Sequence, residues 1–260
     1  MAPLEIAFWR AAIAAVLFGA HAAATGGAAA LRRARPDLPA FAAFGLVGIG
    51  VFYGAYQLAV RSGGAAVASV LLYTAPAWVA LLARVVLGER LGGRKLVAVG
   101  LTLAGVALVA TAGGGAVRLG VAAVAWGLLS GFTYALYYLF GRRYFAVHAT
   151  PTVFAVALPV GALGLLPFVP FADKSGAAWA AILFIAVVPT YGAYLLYAAG
   201  LRRVDATRAA TLATLEPVVA AVAAYAVFGE RLAPLAYVVS AVVLVGVVIA
   251  ASGRTTSPSS

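Results

Sequence analysis

The sequence predicts an all-α polytopic membrane protein, and three observations carry that expectation. Hydrophobic residues make up 65% of the 260-residue chain and charged residues only 10%, and the mean hydropathy is +1.06. The apolar residues fall in runs of about 18–23, each long enough to cross about 30 Å of hydrocarbon as a helix. The third observation is an internal repeat. Pro76-Ala77-Trp78 precedes Gly88-Glu89-Arg90-Leu91, and Pro217-Val218-Val219 precedes Gly229-Glu230-Arg231-Leu232; the proline leads the glycine by 12 residues both times, and the copies lie 141 residues apart. Tyr53-Gly54-Ala55-Tyr56 matches Tyr191-Gly192-Ala193-Tyr194 at an offset of 138, which implies three residues gained between the two matches. Duplicated hydrophobic helices point to a transporter architecture.

Nine spans are expected: Leu4–Ala24, Leu38–Val60, Ala65–Leu87, Lys95–Ala112, Leu119–Phe140, Pro151–Phe171, Ala177–Leu201, Ala206–Phe228 and Pro234–Ala251. The connections are short, so consecutive helices are antiparallel neighbours, and the polar tail 253–260 is expected to be disordered. Met1-Ala2-Pro3 lacks the basic segment of a cleavable signal peptide.

Alternate loops differ in basic charge. One set holds Arg32, Arg33, Arg35, Arg90, Arg94, Lys95, Arg142, Arg143, Arg202, Arg203 and Arg254; the other holds Arg61, Arg118, Lys174 and Arg231. The richer set is cytoplasmic by the positive-inside rule. The C-terminus is then inside, Met1 outside, and the two Gly-Glu-Arg-Leu loops lie on opposite faces. The duplication is therefore read as inverted, an arrangement that lets one fold open to either side. The halves are residues 1–112, with four spans, and 119–252, with five. Thr150-Pro151-Thr152-Val153-Phe154 occupies the place of Ala2-Pro3-Leu4-Glu5-Ile6, and nothing in the first half corresponds to the span around Trp126-Gly127.

Several functions are excluded on composition. The chain has no cysteine and two histidines, His21 and His148, so thiolate and histidine metal sites are not expected. Its net charge of +11 sits in short loops between apolar runs, a pattern of membrane topology and not of nucleic-acid binding. No nucleotide-binding motif is present. The seven acidic residues are too widely spaced for the paired acid–base groups of a membrane enzyme. The expectation is no catalysis and no cofactor, with a small-molecule substrate and the bilayer as partners. High Ala, Gly and Arg content fits a GC-rich bacterial genome, which would place the chain in the cytoplasmic membrane.

Pro3-Leu4-Glu5-Ile6-Ala7-Phe8-Trp9-Arg10 opening a helix, the paired proline-to-Gly-Glu-Arg-Leu units and Leu215-Glu216-Pro217-Val218 resemble the EamA family of the drug/metabolite transporter superfamily. The resemblance covers essentially the whole chain. It implies ten helices in two inverted five-helix repeats, with export of small metabolites, often amino acids, through a cavity between the halves. It also implies an initial helix carrying a Trp-Gly pair, which this sequence does not contain. A non-transporting scaffold or an inactive fragment is the alternative that this departure raises.

Trp126, Ser130, Thr133 and Tyr137 fall within about 60° of one another at 100° per residue, giving one polar-aromatic stripe. Thr207, Thr211 and Thr214 form another, with Ser69 and Tyr73 on the corresponding face of the first half. Tyr53, Tyr56 and Gln57 share a face, and Tyr191 and Tyr194 repeat the tyrosine pair. Hydroxyl and aromatic lining suits an amphipathic solute such as an amino acid. Against this, membrane Ser and Thr also bond backbone carbonyls, and Tyr near helix ends anchors the interface. Glu216, beside Pro217 in an apolar run, is expected as a buried carboxylate that binds a proton or amine, or that pairs with Arg208 or Arg84. Arg10 snorkels outward or meets a substrate carboxylate; Arg84 snorkels. Glu89, Arg90, Glu230 and Arg231 are read as helix-end groups, and Pro76 and Pro217 as kinks. If the chain transports, Trp126→Ala or Tyr137→Ala should abolish flux while folding is retained; a scaffold is indifferent to both.

Overall fold

Proline and glycine set where the helices of this chain begin and break. The computed structural model describes residues 2–88, 92, 93, 96, 97, 99–101, 104, 120–213, 215, 216, 219, 245 and 249, and among them there are helices and no strands. Helix α1 (Pro3–Thr25) opens with a proline in its first turn after an extended Ala2, the position where a missing N–H costs nothing. Gly27, at φ 49, turns the chain into α2 (Gly27–Ala34), which carries Arg32 and Arg33 on its exposed side and buries Ala34. The expected loop is thus helical, as its alanines and arginines favour.

A 3-10 turn (Arg35–Asp37) leads to α3 (Leu38–Phe44), a π-helical segment (Gly45–Val51) and α4 (Phe52–Leu72). At Gly64, φ 86 and ψ 164 break α4, between the ends expected at Val60 and Ala65. A turn at Tyr73–Thr74 separates α4 from α5 (Ala75–Val86), so the span expected at Ala65–Leu87 is discontinuous. Then follow α6 (Val121–Tyr144), α7 (Thr150–Leu165), a 3-10 turn (Leu166–Phe168), α8 (Gly176–Ala186), a second π-helical segment (Val187–Gly192), α9 (Ala193–Leu201) and α10 (Ala206–Ala213). Five stretches are long and apolar enough to cross a membrane: Pro3–Thr25, Gly27–Gly64, Val121–Tyr144, Thr150–Phe168 and Gly176–Leu201. The spans expected at Lys95–Ala112, Pro234–Ala251 and the latter part of Ala206–Phe228 fall mostly outside the described residues, as do the tail, both Glu-Arg-Leu segments and Pro217.

The breaks recur along the chain. At the first, Thr74 N–H donates to Leu71 O at 3.2 Å and Trp78 N–H to Thr74 O at 3.3 Å; at the second, Leu215 N–H donates to Leu212 O at 3.1 Å and Val219 N–H to Leu215 O at 2.9 Å. Each pair is separated by the 141 residues of the proline repeat. Tyr53 and Tyr194, hydrogen-bonded to each other, are also 141 residues apart, and the two π-helical segments keep nearly the same spacing. The structural equivalent of Tyr53 is therefore Tyr194, and not Tyr191 as the tetrapeptide match at 138 implies.

The chain forms two compact units that cut across its halves: residues 1–57 with 140–203, and residues 58–139 with 204–260. In the first unit α1 packs on α7 and α8, while α3 and the Gly45–Val51 segment pack on α7. The contact is close because of glycine: a Cβ on Gly45 would stand 2.2 Å from Ala157 O, and one on Gly161 would stand 2.7 Å from Ile49 Cγ2. In the second unit, a Cβ on Gly127 would stand 2.4 Å from Leu71 Cδ1 and one on Gly131 2.6 Å from Leu71 O, whereas in the first unit one on Gly54 would meet only Leu165 at 4.0 Å. Also in the first unit, Phe44 stacks on Phe140 at 4.0 Å. Arg202 Nε donates to Phe145 O at 2.6 Å and Arg142 to Leu201 O at 3.1 Å, closing helix ends.

Gly45→Val should overpack the α7 contact and destabilise the protein by about 1–3 kcal/mol. Gly19→Ala, where a Cβ meets nothing within 4 Å, should be neutral. Thermal unfolding of the purified protein, followed by size-exclusion fluorescence, checks both.

Candidate functional site

In the first unit the site begins with a proline. Pro189 has no N–H to give Ile185 O, the carbonyl four residues back. The Thr190 hydroxyl donates to that carbonyl instead, at 2.8 Å, within the second π-helical segment. Its oxygen then accepts Arg10 Nε–H at 3.2 Å. Arg10 stands two turns into α1, with its guanidinium carbon 4.6 Å from the centre of the Tyr53 ring, a cation–π distance. Tyr53 and Tyr194 share a hydroxyl hydrogen bond at 2.5 Å, and Tyr194 stacks on Phe154 at 4.8 Å. Arg10, Tyr56, Gln57 and Tyr194 are half-buried, while Tyr53 and Thr190 are buried.

The structure thus gathers Arg10, Tyr53 and Tyr194 from the residues read in the sequence and adds Thr190, which the sequence reading passed over. The signal for it was the Pro189-Thr190 pair inside an apolar run. Tyr191 turns instead to His21 Nδ1, at 2.7 Å, beside Phe18.

The second unit holds the other candidates. Along α6, Ser130 donates to Gly127 O at 2.7 Å, and Thr133 to Leu129 O at 2.8 Å. Thr211 donates to Thr207 O at 2.9 Å. All three hydroxyls are buried and bond their own helices, as membrane serines and threonines commonly do. Tyr137 is 3% exposed and Trp126 37% exposed. Truncating Tyr137 therefore disturbs packing, and Trp126 is the residue of the stripe that presents a surface. Tyr73 is buried at the helix break and Ser69 is half-buried. Thr214 lies outside the described residues.

Glu216 is exposed, not buried as its apolar sequence context suggests. It lies beyond the helix break that separates it from the buried Thr211. Arg84 is exposed, as snorkelling requires. The buried carboxylate of the described chain is Glu5, which pairs with Lys174. Sequence reading missed it because the two residues are far apart in the chain. No group of three or more potential metal ligands occurs among the described residues.

Known proteins share the pattern and the fold of this chain. The sequence pattern of the EamA-like transporter family matches residues 1–111 and again 121–252. An uncharacterized transporter of Archaeoglobus fulgidus is 31% identical over 209 residues, covering 79% of this chain and 75% of its own. A protein of Streptantibioticus cattleyicolor named "Probable terminal-alkyne amino-acid exporter" is 29% identical over 227 residues, covering 84% of this chain and 74% of its own. A solved crystal structure shares the fold with a TM-score of 0.82 at 21% identity, over 96% of this chain and 87% of that one. The protein is a multi-pass membrane transporter, and it belongs to the EamA-like transporter family.

Proposed function

We propose that this chain exports amino acids or related small metabolites across a bacterial cytoplasmic membrane by alternating access. The observation that carries the reading is Arg10, a guanidinium within a membrane-spanning helix, set against Tyr53 and bonded to Thr190. An intramembrane charge is costly, by about 3 kcal/mol or more on insertion scales, and marks a solute path by default. The planar fork of arginine matches a carboxylate, and the tyrosine rings suit an apolar side chain. Tyr194 is bonded to Tyr53 in the same unit, where Tyr56 and Gln57 are half-buried; Trp126, exposed in the other unit, is a separate candidate. The Streptantibioticus cattleyicolor protein named "Probable terminal-alkyne amino-acid exporter" supports amino acids as the substrate class. The double family match and the helix breaks recurring 141 residues apart support two related halves, with the inverted orientation read from the loop charges. Such halves open alternately to either face.

Purified protein in liposomes, offered a panel of radiolabelled amino acids, should move at least one above the rate of empty liposomes. Arg10→Ala should lower that flux about tenfold or more, while Arg10→Lys, which keeps the charge without the planar fork, should fall between. Trp126→Ala should lower flux with the thermal midpoint unchanged. Full flux in Arg10→Ala, or no transported solute in the panel, would exclude the reading.

A further inference from the structure

A second polar site lies at the beginning of α1. Glu5, in its first turn, is fully buried. Its Oε1 accepts the Lys174 ammonium and, at 3.1 Å, the Ala172 N–H. Lys174 belongs to the connection between α7 and α8. The neighbours Phe171, Ala172 and Asp173 are exposed, yet the lysine side chain turns inward and is only 4% exposed. Its Nζ also donates to Ala172 O at 2.7 Å and lies 5.6 Å from the Trp9 ring centre and 5.4 Å from that of Trp179. Those indoles meet edge to face at 4.9 Å, and Phe171 closes on Phe8 and Trp9 at 5.3 and 6.0 Å. A carboxylate beside two indole faces is the recognition chemistry of an ammonium group.

The lysine does not exhaust this box. Glu5 Oε2 and Trp9 Nε1 are both buried without a hydrogen-bond partner among the described residues. A buried carboxylate with an unused oxygen is costly. Removing the lysine without replacement would leave the whole charge uncompensated. Withdrawal of Lys174 with the exposed 171–173 segment would therefore require another cation in its place.

We propose that Glu5, Trp9 and Trp179 form a binding site for a primary ammonium supplied from outside the chain, with Lys174 as its built-in occupant. An alkylammonium takes the place of the lysine, donating to both Glu5 oxygens while its carbons lie on the indole faces. The inference is independent of the transported solute and of the Arg10 cluster, and its test measures binding without flux.

The chain has four tryptophans, so Trp78→Phe with Trp126→Phe leaves Trp9 and Trp179 as the emitters. In that background, Lys174→Met should give a saturable fluorescence change with n-butylammonium chloride. The affinity should be about tenfold or more above that with Lys174 in place. Adding Glu5→Gln should abolish the response, and sodium chloride should not reproduce it. No saturable change in Lys174→Met, the same change with Glu5→Gln, or an equal effect of sodium would each overturn the proposal. Because Lys174→Met can fail to fold, the unaltered protein gives a second reading. Saturating n-butylammonium should speed hydrogen exchange at the Ala172 amide, and unchanged exchange there also overturns the proposal.

Discussion

A backbone carbonyl that loses its partner inside a membrane helix must find another, because hydrocarbon offers none. In this protein that requirement reaches from the local chain to the candidate site. Pro189 frees Ile185 O, and Thr190 turns its hydroxyl back to satisfy it. The hydroxyl oxygen is left as an acceptor that Arg10 meets from another helix. Arg10 in turn covers Tyr53, and Tyr53 holds Tyr194. At the break before Pro76 a threonine hydroxyl again meets the backbone: Thr74 Oγ1 donates to Leu71 O at 2.6 Å. Places where the helix cannot continue are the places where polar side chains become organised.

Close packing then fixes these groups in position. Membrane helices lack a hydrophobic drive toward one another and rely on contact between small residues. Gly45 against Ala157, and Gly161 against Ile49, bring helices from opposite halves of the chain together. This exchange explains how a compact unit comes to draw on both halves. It also explains why the division into halves, plain in the repeated prolines, does not describe the packing.

The sequence made the helical class legible because hydropathy registers directly in span length. It located the starts of α1, α6 and α7 closely, but α6 runs on past the expected Phe140 to Tyr144, and α7 ends at Leu165, short of the expected Phe171. It did not reveal the π-helical segments. Hydropathy periodicity does not encode them. The stripe from Trp126 to Tyr137 was visible as an angular pattern, but angle alone does not tell an open face from a packed one. Along this one face Trp126 is exposed while Ser130 and Thr133 are packed. Glu216 misled in the opposite direction, since an apolar neighbourhood in sequence does not ensure burial in space. Glu5 and Lys174 were unreadable as a pair because only the fold brings them together.

Arg142 and Arg202 carry a dual burden. Both belong to the richer of the two basic loop sets, the set expected at the cytoplasmic face, and both hold backbone carbonyls at the ends of helices. A charge expected to bias the orientation of the chain during synthesis thus also serves as a staple in the finished fold. Neutralising either removes both properties together, so a misoriented chain and a loosened one would arise from the same change. Lysine separates them. It preserves the signal read at the membrane surface but lacks the fork that spans Phe145 O and Thr150 Oγ1 from Arg202. In this fold the history of insertion and the stability of the finished molecule are written in the same residues.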